Sequence, residues 1–261
     1  MTAMYVSRGL LSAFALSLTL LGPALGSALA EEPPVSGVVE LYTSQGCKAC
    51  PAADSALAEF AKRPDLLALA FHVDYWDYLG WRDTMASPDN TLRQKLYGKR
   101  FGARSMYTPQ AIVNGRAQFN GAKAQEIENA LGAQTRNGEA PNVAITTKRM
   151  GDSLMIEVAD GNLPEGHKAH LMLVGFDGAI VVPVKTGDNE GQTLSYVNAV
   201  KSMRPIGVWK GPAMHVELPW VSIEDSMGAA VILQVMGKDK VPGPILGAAV
   251  VTRPDRPHTA D

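Results

Sequence analysis

The two cysteines of this chain, Cys47 and Cys50, are separated by only Lys48 and Ala49 and stand where a strand pattern gives way to a helix pattern. Before them "VVELY" (38–42) reads as a buried strand. After them Ala53, Ala56, Leu57 and Phe60 recur at i, i+3, i+4 and i+7, the spacing of one helix face. That order puts a thiol pair at a helix N-terminus, where unpaired N–H groups and the helix dipole favour thiolate over thiol. Two cysteines are too few for a disulfide scaffold, and the loop they close restrains little of the unfolded chain, so a structural staple is the poorest account of them. In the redox reading Cys47 is the nucleophile, with Lys48 as a cation beside it. Cys50, one turn inside the helix, resolves the mixed disulfide.

The compartment is read from the N-terminus. Arg8 is followed by the apolar run "LLSAFALSLTLL", a break at Gly22-Pro23, and Ala28 and Ala30 at a small-x-small site. Residues 1–30 read as a secretory signal, since the run stops short of the ~18–20 apolar residues that span a bilayer. The expectation is a periplasmic or secreted protein with no stable membrane span after cleavage. The whole chain carries 24 basic and 26 acidic side chains, and removing residues 1–30 takes away only Arg8 among the charged residues, leaving −3. That balance points away from nucleic acid.

Further along, "LLALAFHVDYW" (66–76) reads as a second buried strand. The stretch to Met106 reads as an inserted helical region, with Ser87 as N-cap, Pro88 in the first helical position, and Leu92, Leu96 and Tyr97 on the inner face. "YTPQAIVNGRAQFNG" reads as two strands around an Asn114-Gly115 type I′ turn, and "AKAQEIENAL" (122–131) as a helix. The order β-α-β-(helices)-β-β-α is that of a thioredoxin fold, in which a proline opens the third strand; Pro109 holds that position. After Pro141 the chain alternates in short runs, about Gly151-Asp152 and Asp177-Gly178, and then in "GAAVILQVM" and "PILGAAVVT". These read as a β-sandwich. The fold expected is therefore an α/β thioredoxin-like domain with a helical insertion over 31–140, a mostly antiparallel β-sandwich over 141–252, and a loose tail over 253–261.

The other candidate site residues follow from this arrangement. Thr108-Pro109 is expected to be cis and to face the cysteines, leaving a backbone edge for a substrate peptide, with Tyr107, Thr108 and Trp76 as substrate contacts. Glu40, in an otherwise apolar strand, is a candidate general base for Cys50; the alternative is an edge glutamate in solvent or paired with a lysine. Tyr75, Trp76, Tyr78 and Trp81 form either a small core or the wall of a groove. His72 and Asp74 raise a copper site with the thiolates, against a core histidine with satisfied nitrogens. Arg82, Asp83, Arg93 and Arg104 read as solvated charges.

"ELYTSQGCKACPAAD", "HVDYWDYLGW", "YTPQAIVNGR" and "GDNEGQTLSYVNAV" together resemble a bacterial family of secreted thioredoxin-like proteins of unknown function, the DUF1223 family. The likeness runs from Val38 to about Val251 and implies a thioredoxin-like fold carrying the Cys-x-x-Cys motif, with no established substrate. The functional expectation is an exported thiol–disulfide oxidoreductase acting on protein or small-thiol partners, with no cofactor and no resident metal. The alternatives are a copper or metal-handling protein and a non-catalytic binding protein with a static disulfide.

Overall fold

The computed structural model describes residues 1–4, 34–163 and 167–253. The chain divides into Met1–Glu31, of which only the exposed residues 1–4 are described, and Glu32–Asp261, which carries every element below. All but the first four residues of the signal expected over 1–30, and all but the first residue of the expected tail, lie outside the described residues.

Strand β1 (Gly37–Thr43) leads through the cysteine loop into helix α1 (Pro51–Ala61), and β2 (Leu66–His72) lies parallel to β1. Helix α2 (Pro88–Phe101) starts where the sequence places it, with Ser87 Oγ accepting from the Asp89 N–H at 3.1 Å, Pro88 in the first turn, and Gly102 in the left-handed region behind it. Strands β3 (Gln110–Val113) and β4 (Ala117–Asn120) form a hairpin whose Asn114 and Gly115 both have positive φ, 48° and 64°, as a type I′ turn requires. Helix α3 (Ala124–Arg136) follows. The rest is strand: β5 (Ile145–Met150), β6 (Ser153–Val158), β7 (Lys168–Asp177), β8 (Ile180–Pro183), β9 (Thr193–Tyr196), β10 (Ala199–Trp209), β11 (Met214–Pro219), β12 (Gly228–Met236) and β13 (Pro242–Val250).

These strands do not form a thioredoxin-like α/β domain followed by a β-sandwich, and that expectation is corrected. The described protein is mainly β, with three α-helices and one mixed eight-stranded sheet in the order β13-β12-β7-β10-β2-β1-β3-β4. Strands from both sides of Pro141 share it. The seam is narrow: β10 runs parallel to β2 at the pair Ala199 and Ala70, where the Ala70 N–H donates to the Asn198 carbonyl at 3.0 Å and Asn198 Nδ2 donates to the Ala68 carbonyl at 2.9 Å.

The physical reason lies in the side-chain alternation. Val38 and Tyr42 of β1, Leu67, Leu69 and Phe71 of β2, Val174 and Phe176 of β7, Ala230 and Ile232 of β12 and Ile245 of β13 share one face of the sheet and one apolar cluster. A core continuous from β1 to β13 joins strands from both halves of the chain, so the residues after Pro141 do not stand as a self-contained second domain. Helix α2 covers this face and touches both β2 and β13. The opposite face packs α1 and α3 against β1, β2 and β3, and on the β7–β12 side it packs a three-stranded sheet, β11-β6-β5. The run about Asp177-Gly178 makes no hairpin with its own halves: β7 pairs with β10 and β12, while β8 pairs with β9 in a small separate sheet.

The inner face of α2 is polar, a second correction. Leu92 is 53% exposed and Leu96 half-buried, whereas Tyr97 is buried as expected, together with Asn90 and Gln94. Arg93, expected in solvent, lies 2.6 Å from Glu40 of β1, and its Nη2 donates to Gln234 Oε1 of β12 at 2.8 Å. The Tyr97 hydroxyl donates to Glu40 Oε2 at 2.5 Å and accepts from Gln234 Nε2 at 2.7 Å. Burial works against the charge on Arg93, and the Glu40 carboxylate beside it more than restores it. Helix α2 is thus fastened across the seam by a buried, fully engaged ion pair.

Removing one partner strands the other charge in the core. Arg93→Ala is expected to lower unfolding free energy in urea by about 3–5 kcal/mol, while the double replacement Glu40→Met/Arg93→Met loses much less. Equal losses in the two variants would show that the pair is not what fastens the helix.

Candidate functional site

Cys47 and Cys50 form a disulfide with a Cα–Cα distance of 5.4 Å. Cys50 is the N-cap of α1, with Pro51 as its first helical residue, rather than one turn inside it; Cys47 sits in the turn before, its N–H donating to the Ser44 carbonyl at 3.1 Å. Lys48 and Ala49 are exposed, but Cys47 is 2% and Cys50 0% accessible. The sulfur expected to act as nucleophile is therefore covered: in the disulfide form neither cysteine is exposed.

Two distant side chains hold the loop. The Asp83 carboxylate accepts from the Gln45 N–H at 2.8 Å, from the Met85 N–H at 2.8 Å, and lies 2.8 Å from His72 Nδ1 of β2. Burial opposes its ionised form, but the hydrogen bond and charge of His72 and the backbone donors bring its pKa below the usual carboxylate value. From the loop between β8 and β9, Asn189 Nδ2 donates to the Gln45 carbonyl at 2.9 Å and to the Cys47 carbonyl at 3.1 Å. Gln45 Oε1 in turn accepts from Trp81 Nε1 at 2.8 Å. The hairpin seats on this region through Val182, Val184, Leu194 and Tyr196, which pack with Trp81 and Met85. It is the part of the protein that closes over the cysteine loop.

Beneath the loop lies a group of polar atoms of which the sequence singled out only His72. Asp54 follows Cys50 by one helical turn, its N–H donating to the Cys50 carbonyl at 3.0 Å. Its side chain points inward, and neither carboxylate oxygen makes a hydrogen bond of good geometry. Burial pushes its pKa up to about 7, against smaller lowering effects from His72 and the Thr43 hydroxyl. Thr43 Oγ1, His72 Nε2 and Tyr196 Oη are likewise buried and make no hydrogen bond of good geometry. They come from β1, β2 and β9; Thr43 and His72 are register partners, and the Tyr196 ring meets His72 edge-on at 4.7 Å.

The expected residues are placed as follows. Glu40 alternates with Val39 and Leu41, which face α1, so it points to the α2 face, away from the cysteines, and is engaged by Arg93 and Tyr97. A role as base for Cys50 does not fit that position. Thr108-Pro109 is cis, and Pro109 is buried. A Cβ on Gly121 would come within 3.1 Å of both Pro109 Cβ and Ala53 Cβ, so Gly121 is what lets Pro109 approach the first turn of α1. Trp76 Nε1 donates to Thr108 Oγ1 at 2.7 Å, and a Cβ on Gly46 would meet Trp76 Cβ at 3.2 Å, so Trp76 and Thr108 adjoin the cysteine loop together. Tyr107 is 36% exposed next to them. His72, the copper candidate, is engaged at Nδ1 by Asp83, and Asp74 Oδ1 accepts from the Thr91 hydroxyl at 2.6 Å. Among the described residues no group of three or more His, Cys, Asp or Glu side chains is placed to hold a metal ion, and no helix is long and apolar enough to cross a membrane.

Asp54 had a readable signal, its i+4 spacing from Cys50 on a helix already recognised. Asp83, read as a solvated charge, and Asn189 had none in local sequence, because their partners are 38 and about 140 residues away.

The model of the DUF1223 family, described only as a protein of unknown function, matches residues 38–234. A crystal structure of a protein from Agrobacterium tumefaciens is 38% identical, covers 85% of this chain and 96% of its own, and superposes with a TM-score of 0.76. HBP35 of Porphyromonas gingivalis is similar in fold alone, at 12% identity and a TM-score of 0.57 over 87% of this chain and 78% of its own. No curated protein matches the chain.

Asp54 gives a signed stability test. With an ordinary value of 3.8 and a folded value of about 7, the folded state binds the extra proton between those limits. Stability therefore falls as pH rises through roughly 4 to 7 and is level above, by on the order of 4 kcal/mol at most. Asp54→Asn removes that loss, so it is expected to be more stable than the parent at pH 8 and similar at pH 4 in thermal unfolding followed by circular dichroism. An equal offset at both pH values would contradict the raised pKa.

Proposed function

The chain belongs to the DUF1223 family, and we propose that it is an exported thiol–disulfide oxidoreductase whose redox centre is Cys47–Cys50. The observation that carries the reading is a Cys-x-x-Cys disulfide at the N-terminus of α1 with a proton-holding carboxyl, Asp54, one turn beneath it. The apolar segment after Arg8 and its small-x-small site support export.

The exchange runs in two displacements. A substrate thiolate attacks Cys47 Sγ, the S–S bond breaks, and Cys50 leaves as thiolate and takes the proton of Asp54. A second substrate thiol, losing its proton, attacks the substrate sulfur of the mixed disulfide, and Cys47 leaves as thiolate, stabilised by the helix N-terminus. The substrate dithiol has then lost two electrons to the cysteine pair and its protons to solvent, while Cys50 holds the proton given up by Asp54; the reverse sequence reduces a substrate disulfide. Trp76, Tyr107 and Thr108 supply an apolar and hydrogen-bonding margin beside the loop for the substrate chain. The β8–β9 hairpin must lift before a thiol reaches either sulfur.

The burial of both cysteines favours one other reading, a static disulfide that braces the loop of a binding protein. Turnover separates the two. Under the oxidoreductase reading Cys50→Ser accumulates a mixed disulfide at Cys47 with a disulfide substrate, whose other sulfur leaves as thiolate, and Cys47→Ser abolishes exchange. Asn189→Ala, which frees the hairpin from two carbonyls, is expected to speed reduction of the disulfide by dithiothreitol roughly tenfold, the equivalent of about 1.4 kcal/mol of lost hydrogen bonding. A disulfide that resists dithiothreitol in the parent and in Asn189→Ala alike supports the static brace.

A further inference from the structure

We propose that His72, held by Asp83, is a positioning residue for the cysteine chemistry: its Nε2 takes up and returns the proton that Asp54 exchanges with Cys50, and Tyr196 of the hairpin closes this chain from solvent. The inference rests on the oxidoreductase reading above.

The tautomer follows from the hydrogen bonds. An ionised carboxylate only accepts, and Asp83 already accepts the Gln45 and Met85 N–H groups, so the 2.8 Å contact to His72 requires the proton on Nδ1. In a neutral imidazole that leaves Nε2 as a bare acceptor, buried and without a hydrogen bond. The one nearby side chain that carries an exchangeable acidic proton at neutral pH is Asp54, on which both His72 and Asp83 act electrostatically. Thr43 from β1, Cys50 from α1, His72 from β2, Asp83 from the segment before α2 and Tyr196 from β9 are the polar or titratable groups around Asp54. Lys48, the cation nearest in sequence, is exposed.

Such an arrangement solves a problem set by burial. When Cys50 leaves as thiolate and takes the proton of Asp54, the carboxylate left behind becomes a second buried negative charge beside Asp83, which is costly in a site closed to water. Nε2 receives the replacement proton from solvent when the hairpin lifts and passes it to Asp54. In the reverse direction the thiol proton of Cys50 goes to Asp54 and leaves through Nε2. Asp83 keeps Nδ1 protonated throughout, so the imidazole always presents the same nitrogen to Asp54. Tyr196 belongs to the hairpin that has to lift for solvent to reach this chain; burial, then the charges of Asp54 and Asp83, keep its hydroxyl protonated.

The test uses the whole protein and dithiothreitol as the reductant. In the oxidised protein the carboxyl carbon of Asp54, followed by NMR, is expected to titrate near 7. His72→Gln moves that midpoint up, because the lowering influence of the imidazole is lost, and Asp83→Asn moves it down, because a repelling carboxylate is lost. The rate of reduction by dithiothreitol, corrected for its thiolate fraction, is expected to break at the same midpoint, to follow it in each variant, and to lose the break in Asp54→Asn. His72→Gln is expected to slow the step roughly a hundredfold at pH 7, the low end of proton-transfer catalysis. Opposite shifts in two variants are not the signature of a merely structural defect, and if His72→Gln fails to fold, the downward shift in Asp83→Asn decides alone. Normal reduction with a pH profile indifferent to His72 and Asp83 overturns the relay and leaves the oxidoreductase standing. No reduction of the parent at any pH overturns both.

Discussion

The carboxylate of Asp83 is the interaction on which the site depends. It collects the N–H of Gln45 from the cysteine loop, the N–H of Met85 from its own turn and the imidazole of His72 from β2, so three separate segments are referenced to one buried charge. Charge-assisted hydrogen bonds are stronger than neutral ones, and a buried carboxylate with satisfied lone pairs tolerates little displacement. The cysteine loop therefore has a fixed height above the sheet, and Gln45, oriented through its backbone, offers its side chain to Trp81 and its carbonyl to Asn189. Replacing this acid with a neutral isostere would change the proton inventory of the histidine as well as the position of the loop.

A second buried charge does for the fold what Asp83 does for the site. Glu40 and Arg93, with Tyr97 and Gln234, connect β1, α2 and β12, three elements that no local sequence signal groups together. Polar networks of this kind are costly when incomplete, so they define one arrangement of the surrounding strands against near alternatives. The segment that reads as an insertion is in this light the clasp that holds the two halves of the sheet together.

Local signals were legible and long-range ones were not. The Ser87-Pro88 start of α2, the Asn114-Gly115 turn and the period-2 strands were readable because each depends on residues within a few positions. Which strands pair was not, because Val174 and Ile232 look the same whether they line a private core or the one that begins at Val38. Charged residues failed for a related reason. Asp83 and Arg93 resemble solvated charges until their partners are known, and Glu40, correctly singled out as odd in an apolar strand, faces α2 rather than the cysteines because strand alternation gives Leu41 the α1 side. Trp76, Thr108 and Pro109 were found because aromatic clustering and an X-Pro step at a strand entrance are visible in the sequence; the structure gathers them near the cysteine loop and the first turn of α1.

The seam between β2 and β10 has a consequence for how the chain is made. The carbonyl of Ala68 meets its Asn198 partner 130 residues later, so during synthesis β2 is finished long before the strand that covers its flank exists. Until then that flank presents unpaired backbone groups above a run of Leu, Ala and Phe side chains, the kind of edge that recruits strands from other chains. Folding dominated by such distant pairings is slow, because chain entropy is spent before the contacts return it. A nascent chain of this protein is thus most vulnerable to misassembly between the emergence of β2 and that of β10.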